Sequence, residues 1–295
     1  MEQIRKIAVF GATGMLGKPV VRELVDAGFE VTAMVRDAEK ARRELPAEVN
    51  IVVGDLQNPS DIVKALEGAE GIYLNLSVKP ETSEKDFQPE REGLKNILEA
   101  AKRNEVRRVA YCSSLVHRYQ GQNGFYWWTF DLKKQALEMI KRSGIPYTIF
   151  YPSSFMENLD KGGYKQGNKM RLAGESKFPM WFIAGSDYGK QVVRAFQLTE
   201  AANRDYNVQG PEAFNADQAV KIFVENYRPE KLTVSKTPLF VLKLAGLFSR
   251  KARNIAKIIE ALNNNQEKFN AEPAWVELGK PTVTLVEYAR RSGGE

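Results

Sequence analysis

Two side chains on which much enzyme chemistry depends are almost missing from this 295-residue chain: it holds one cysteine, Cys112, and one histidine, His117. A single thiol cannot close a disulfide within the chain. A single imidazole leaves neither a conventional zinc site nor a Cys–His–carboxylate triad to assemble, so no metal is expected. No uncharged apolar run reaches the roughly 18 residues that a membrane-spanning helix needs. The N-terminus enters an apolar strand pattern directly, without a charged-then-apolar leader, and a cytoplasmic location is the expectation. Charge of one sign is also scarce: the formal net charge is +6. That modest excess suits small anionic ligands, and no nucleic-acid module is visible, so the expected partner is a small-molecule substrate and not a nucleic acid. Cys112 lies within an apolar run and reads as a buried thiol, whereas His117, just past that run, reads as a solvated loop residue.

What is present is concentrated near the start. Ile7 to Phe10 is a short apolar run with β-branched members, which reads as a buried strand. Glycine punctuation follows in Gly11-Ala12-Thr13-Gly14-Met15-Leu16-Gly17, and then Val20, Val21, Leu24 and Val25 recur at helical spacing, with Gly28 as the stop. A strand–glycine turn–helix unit presents unpaired N–H groups and the positive end of the helix dipole to an anion. Gly11 permits the sharp turn, Gly14 lets backbone approach a pyrophosphate, and Gly17 lets helix and strand pack closely. The spacing is GxxGxxG, a variant of the usual GxGxxG dinucleotide fingerprint. Gly11, Thr13, Gly14, Met15, Leu16 and Gly17 are therefore the expected pyrophosphate cradle.

The second strand, Glu30 to Val35, ends at Arg36, where the dinucleotide pattern more often has an acid for the adenosine ribose. A guanidinium suits a 2′-phosphate that a carboxylate would repel, so Arg36 with Lys40 predicts NADP(H) over NAD(H). Asp37 then reads as the N-cap of a helix beginning near Ala38. Val49 to Val53 is a third strand, and Asp55 after it is placed to accept from an adenine amine, or else to hold a plain turn. Leu56, Leu76, Ser113 and Pro152 follow or end later strands and are predicted to line the same cleft. Gly71–Leu76, Arg108–Cys112 and 146–151 supply strands four to six, separated by amphipathic helices over 84–104 and 129–142. Six strands alternating with helices predict an α/β protein with a Rossmann-type, doubly wound parallel sheet.

Past Phe155 the alternation fails. Residues 160–187 are glycine-rich and polar, a helix is expected over 188–201, and a seventh strand over 206–209 rejoins the sheet. The expected organisation is a dinucleotide-binding core over 1–155, completed by 185–212, with a smaller C-terminal substrate lobe from 156–184 and 213–295. Within that lobe Asn215 reads as a helix cap, and residues 238–262 pass from apolar to basic. That stretch is expected to act as a lid or homodimer helix rather than to lie on a membrane. The aromatic run Phe125-Tyr126-Trp127-Trp128 suits either a pocket wall or a packing surface.

Taken in order, GATGMLG, Val35-Arg36-Asp37, Val53-Gly54-Asp55-Leu56, 143–149 and Phe155-Met156-Glu157-Asn158-Leu159 resemble the NmrA-like branch of the atypical short-chain dehydrogenase/reductases. The resemblance covers about residues 5–160 and implies NAD(P) in the cleft at the strand C-termini. It maps the family's lysine, which contacts the nicotinamide ribose and supports proton transfer, onto Lys133. Its usual tyrosine, four residues earlier, is replaced here by Thr129, which has no titratable phenol. Tyr126, seven residues before Lys133, is the candidate replacement if the helix extends back to it. The implied activity is NADPH-dependent hydride transfer to a small apolar or aromatic carbonyl, quinone or enone; the alternative is a non-catalytic NADP-sensing regulator of the NmrA type.

Overall fold

The computed structural model describes residues 3–198 and 202–293. The opening apolar run becomes β1 (Lys6–Phe10), followed by α1 (Gly17–Asp26), β2 (Glu30–Val35), α2 (Ala38–Glu44), β3 (Asn50–Val53), α3 (Pro59–Ala65) and β4 (Gly71–Leu74). After one π-helical turn, Pro89–Gly93, come α4 (Leu94–Arg103), β5 (Arg108–Cys112), α5 (Trp128–Arg142) and β6 (Tyr147–Pro152). Asp37 caps α2 as its sequence position predicts, its carboxylate accepting from the Lys40 N–H at 2.9 Å.

The remaining elements are β7 (Ser154–Phe155), α6 (Glu157–Asp160), β8 (Lys165–Gln166), β9 (Lys169–Ala173), β10 (Met180–Ile183), α7 (Gly185–Gln197), β11 (Arg204–Val208), β12 (Glu212–Phe214), α8 (Ala216–Asn226), β13 (Thr233–Thr237), α9 (Leu239–Ala245), α10 (Arg250–Asn264), α11 (Glu272–Leu278) and α12 (Leu285–Arg291). Helix α7 starts three residues earlier than expected and ends at Gln197; the expected continuation over 199–201 lies outside the described residues.

The principal sheet has seven strands in the order β11-β6-β5-β4-β1-β2-β3, all paired parallel. Its strands are apolar on both sides because both faces are covered. Val20, Val21 and Leu24 of α1 join Val192, Ala195 and Phe196 of α7 on one face. Ile62 of α3, Ile97 and Leu98 of α4, and Leu137 and Ile140 of α5 cover the other. The chain therefore winds one way from β1 to β3 and the opposite way from β4 onward. The switch point lies between the adjacent C-terminal ends of β1 and β4, where an open α/β sheet binds its ligand.

The second lobe gathers around Met156, Met170, Phe182, Val220, Phe223 and Leu285. Its two three-stranded sheets run β12-β10-β7 and β13-β9-β8. The buried Glu157 ties this lobe to the first by accepting the Gly185 N–H at 2.8 Å, at the start of α7. Burial pushes its carboxyl up to about 7. Helix α11, although it lies within the stretch expected to form the lobe, returns to the principal sheet. Its Ala274 and Leu278 pack in the α1–α7 layer, and Glu277 accepts from the Tyr206 hydroxyl at 2.6 Å beside edge strand β11.

Candidate functional site

The β1–α1 turn has little freedom to be anything other than glycine at two of its three positions. Gly11 adopts φ +88°, and a Cβ there would stand 2.2 Å from the Asn75 carbonyl oxygen; a Cβ on Gly17 would stand 2.1 Å from the Gly11 oxygen. Gly14 is different. Its Cβ would meet Gly11 O and Asn75 Nδ2 at 3.2 and 3.3 Å, so packing alone forbids a side chain there far less strictly. Helix α1 begins without a side-chain cap and without an acid in its first turn. Of its first N–H groups, that of Lys18 is bonded to the Gly14 carbonyl at 3.1 Å and Pro19 has none, so the Gly17 N–H and those of the turn before it are what an anion would meet. Ala12 is buried while Thr13, Met15 and Leu16 are half-buried at the mouth.

The other expected cofactor residues fall along the same C-terminal edge of the sheet. Arg36 and Lys40 are exposed beyond β2, and neither forms an ion pair among the described residues. Asp55 follows β3, but one of its carboxylate oxygens is already engaged, accepting the Gln57 N–H at 2.8 Å; it holds a turn while its second oxygen stays open. Leu56 is half-buried beside Gly93, and Leu76, Ser113 and Pro152 are buried past or at the ends of β4, β5 and β6. The residues fit a dinucleotide: a bare backbone cradle, a helix start without a side-chain cap or an acid, and a guanidinium beyond the second strand without an ion pair among the described residues.

Beyond β4 and β5, α5 and α10 enclose a pocket of about 250 Å³, lined among others by Val78, Pro80, Val116, Trp127, Phe130 and Ile258. Lys133 borders it, its side chain largely buried, and donates to Glu90 Oε1 at 2.7 Å. Tyr111, fully buried, donates to the same oxygen at 2.6 Å. Burial and the neighbouring Glu90 carboxylate push the Tyr111 phenol well above its ordinary value, so it serves as a fixed donor. Glu90 is 1% exposed, and its Oε2, like Thr129 Oγ1, is buried without a hydrogen-bond partner among the described residues. Asn254 of α10 braces one wall of the pocket, accepting from Trp127 Nε1 at 3.2 Å and donating to the Pro80 carbonyl at 2.8 Å.

Glu90 was not foreseen. The signal was there: it stands three residues after Phe87 and four before Leu94, on the apolar stripe of the expected 84–104 helix, where an unpaired carboxylate has no reason to be. The π-helical turn, with the Gly93 N–H bonded to Gln88 O at 3.3 Å, swings it inward.

The structure does not bring Tyr126 to Lys133. Helix α5 begins at Trp128, and Trp127 before it is extended (φ −146°, ψ 121°), so the seven-residue spacing never becomes two helical turns. Extended backbone alternates its side chains. Trp127 faces the pocket, and Tyr126 is 55% exposed, its phenol pushed up to about 12 chiefly by a hydrogen bond to Asp131.

His117 is likewise no solvated loop residue. It is half-buried, its ring stacks on Tyr151 at 5.7 Å, and Nδ1–H donates to the Ser114 carbonyl. Burial, aided by the Lys133 and Arg118 cations, pushes the imidazole down to about 4. The depressed value sets the sign: the unfolded chain takes up this proton near pH 6.5, the folded chain only near 4. The resulting stability, on the order of 3 kcal/mol, is full above pH 6.5 and is lost as pH falls toward 4. Glu157, raised instead, contributes in the opposite sense, below about pH 4.5 and fading as pH rises through 7. His117→Gln is expected to flatten the urea-midpoint profile between pH 6.5 and 4 relative to the parent. An unchanged slope would show that His117 is not buried in its neutral form.

A parallel sheet with its cradle at the switch point, and a pocket beyond it, defines a dinucleotide-binding α/β protein. A family model described as NAD(P)H-binding matches residues 11–185, and the chain belongs to that family. The resemblance read from the motifs is thereby borne out. Among curated relatives, the chain is similar to a photosystem II assembly factor of Cyanophora paradoxa, 26% identical over 243 residues, covering 81% of this chain and 74% of the relative. It is also similar to the NAD(P)H azoreductase of Xenophilus azovorans, 27% identical over 229 residues and covering 76% and 74% of the two chains. In fold it is similar to an NADPH-dependent quinone oxidoreductase of Escherichia coli crystallised with NADPH. That match has a TM-score of 0.72 at 22% identity, over 96% of this chain and 98% of the other.

Proposed function

We propose that this protein is an NADPH-dependent reductase that passes hydride to a small apolar or aromatic acceptor, a quinone first, with carbonyls and enones in the same class. The observation that carries this reading is the pocket beyond the switch point, apolar in most of its wall and bordered by one buried cation, Lys133. The azoreductase relative and the fold shared with a quinone oxidoreductase support it.

The bound dinucleotide would supply the hydride. Residues Gly11 to Gly17 would hold its pyrophosphate and Arg36, with Lys40, its 2′-phosphate. Lys133, oriented by Glu90, would hold the ribose beside the reacting end, with Glu90 Oε2 and Thr129 Oγ1 as open partners for hydroxyl groups. Trp127, Phe130 and Ile258 would exclude water and seat a flat acceptor against the site. The Lys133 ammonium would stabilise negative charge developing on the acceptor oxygen, so a quinone needs no phenolic acid here. Arg36→Glu is expected to weaken NADP⁺ binding about 100-fold, the scale of two lost charge-assisted hydrogen bonds, with NAD⁺ affinity little changed. Equal losses for both dinucleotides would contradict the assignment.

The regulatory alternative keeps one specific support: no phenol lines the pocket among the described residues, and Thr129 stands where the family's tyrosine is usual. The two readings separate on a panel of quinones, enones and azo dyes supplied with NADPH. The reductase consumes NADPH with at least one of them. A sensor binds NADP⁺ and NADPH unequally and consumes neither.

A further inference from the structure

Helix α9 and the loop behind it are turned inside out. No residue of α9 is buried, and Phe240, Val241, Leu244, Leu247 and Phe248 are 63%, 42%, 57%, 67% and 94% exposed. Outside this stretch, large apolar side chains exposed to this degree occur only singly among the described residues, at Val53, Tyr126, Val234 and Val276. Phe240 and Leu244 stand one turn apart on α9, and Leu247 and Phe248 follow at once in tight turns off its end, their N–H groups bonded to Leu244 O and Ala245 O at 3.0 and 3.1 Å, so the exposed apolar side chains are contiguous along the chain. A contiguous stretch of this kind is rare on a surface that meets only water.

Charge says what covers it. From Lys236 to Arg253 the chain carries Lys236, Lys243, Arg250, Lys251 and Arg253 and not one carboxylate. Lys236, Lys243 and Lys251 also face Asp217, Glu260 and Glu81 from neighbouring elements, and Arg253 Nε donates to the Gly246 carbonyl. Arg250 is exposed at the start of α10, close enough to act on the exposed Asp86 carboxylate but without an ion pair among the described residues. A second copy docked face to face through this stretch would bring like charges together, which opposes the pairing. An anionic bilayer surface attracts them and accepts protruding Phe and Leu side chains among its acyl chains. No helix of the described residues is long and apolar enough to cross a membrane, so the contact is interfacial.

We infer that α9 and the Gly246–Ser249 loop dock the protein on an anionic lipid surface, departing from the lid-or-dimer role expected for this stretch. The consequence for the site rests on the reductase reading above. Helix α10, packed against α9, carries Asn254, Ile255 and Ile258 in the pocket wall. Docking therefore sets the pocket one helix away from the lipid, where a lipophilic acceptor dissolves.

Sedimentation with phosphatidylcholine vesicles, with and without phosphatidylglycerol, tests the docking. The parent protein is expected to pellet with the anionic vesicles and to be released by salt. Each Phe→Ser change in F240S/F248S should weaken partitioning about tenfold, and Arg250→Ser about fivefold. No pelleting with anionic vesicles, or pelleting that F240S/F248S leaves unchanged, overturns the inference. So does a dimer, detected by sedimentation equilibrium, that the same substitutions dissolve. All these residues are exposed and remote from the cradle, so NADPH titration of each variant shows the fold intact. Loss of NADPH binding in the parent would instead fault the reductase reading, leaving docking to be judged on its own.

Discussion

Replacing Lys133 with Met is expected to lower kcat/KM for a quinone by about 10²–10⁴, the range spanned by removal of a positioned proton or charge donor. The fold should survive. Lys133 is partly exposed to the pocket, and methionine fills the space of its stem. What the change removes is the one cation on the pocket wall that is held in place from behind by a buried carboxylate. Glu90→Gln tests that support separately. Glutamine keeps the volume and one oxygen that can accept from both Tyr111 and Lys133, so stability should change little, while kcat falls by roughly tenfold because the charge that fixes the amine is gone. KM should stay near that of the parent, a split that a purely structural role for Glu90 would not produce. Undiminished turnover in K133M would remove Lys133 from the site.

Alanine at Gly17 is expected to do the most damage per atom added. Its Cβ would lie 2.1 Å from the Gly11 oxygen and 2.7 Å from the Ala12 oxygen. Both are backbone atoms, unable to swing aside as a side chain tip would. Helix α1 must then shift away from β1, costing about 1–3 kcal/mol of stability and pulling its N–H groups out of register with the cradle. Dinucleotide affinity should fall at least about tenfold with it. Gly14→Ala makes the informative contrast. Its contacts at 3.2 and 3.3 Å are tight but accommodable, so the melting temperature should stay near that of the parent. Binding is nonetheless expected to weaken as much as in G17A, because the methyl group occupies the approach of the pyrophosphate. If G14A destabilises the protein and G17A does not, the division of labour among the glycines is wrong.

These two sites also show what sequence can and cannot disclose. The expected cradle was legible because its strand, glycines and helix lie within the first 26 residues and Gly17 answers to Gly11 and Ala12 in the same turn, although Gly11 answers to Asn75, 64 residues on. The same is true of Asp37, whose partner is three residues away, and of Asn215, whose capping box with Gln218 closes within one helical turn. The pocket was less legible because its parts meet across the chain. Asn254 bonds Pro80, 174 residues earlier, and Lys133 meets Glu90 only because a π-helical turn rotates a carboxylate onto an apolar face. Tyr126 failed as a candidate for a related reason. Its spacing from Lys133 was correct for a helix, and the helix starts two residues too late. Helix α11 carried too little pattern to reveal that it packs back on the first sheet.

The central claim is that the pocket between α5 and α10 receives hydride acceptors from NADPH held at the β1–α1 turn. The most direct test is a single turnover: protein loaded with one equivalent of NADPH is mixed rapidly with naphthoquinone, and the absorbance of the reduced nicotinamide is followed. The account predicts an exponential loss of that absorbance, slowed by at least about 100-fold in K133M and at least about tenfold in parent protein given NADH in place of NADPH. NADPH that binds tightly and stays reduced, with naphthoquinone and with every acceptor of the panel, would contradict it and leave a protein that reads the dinucleotide without using it.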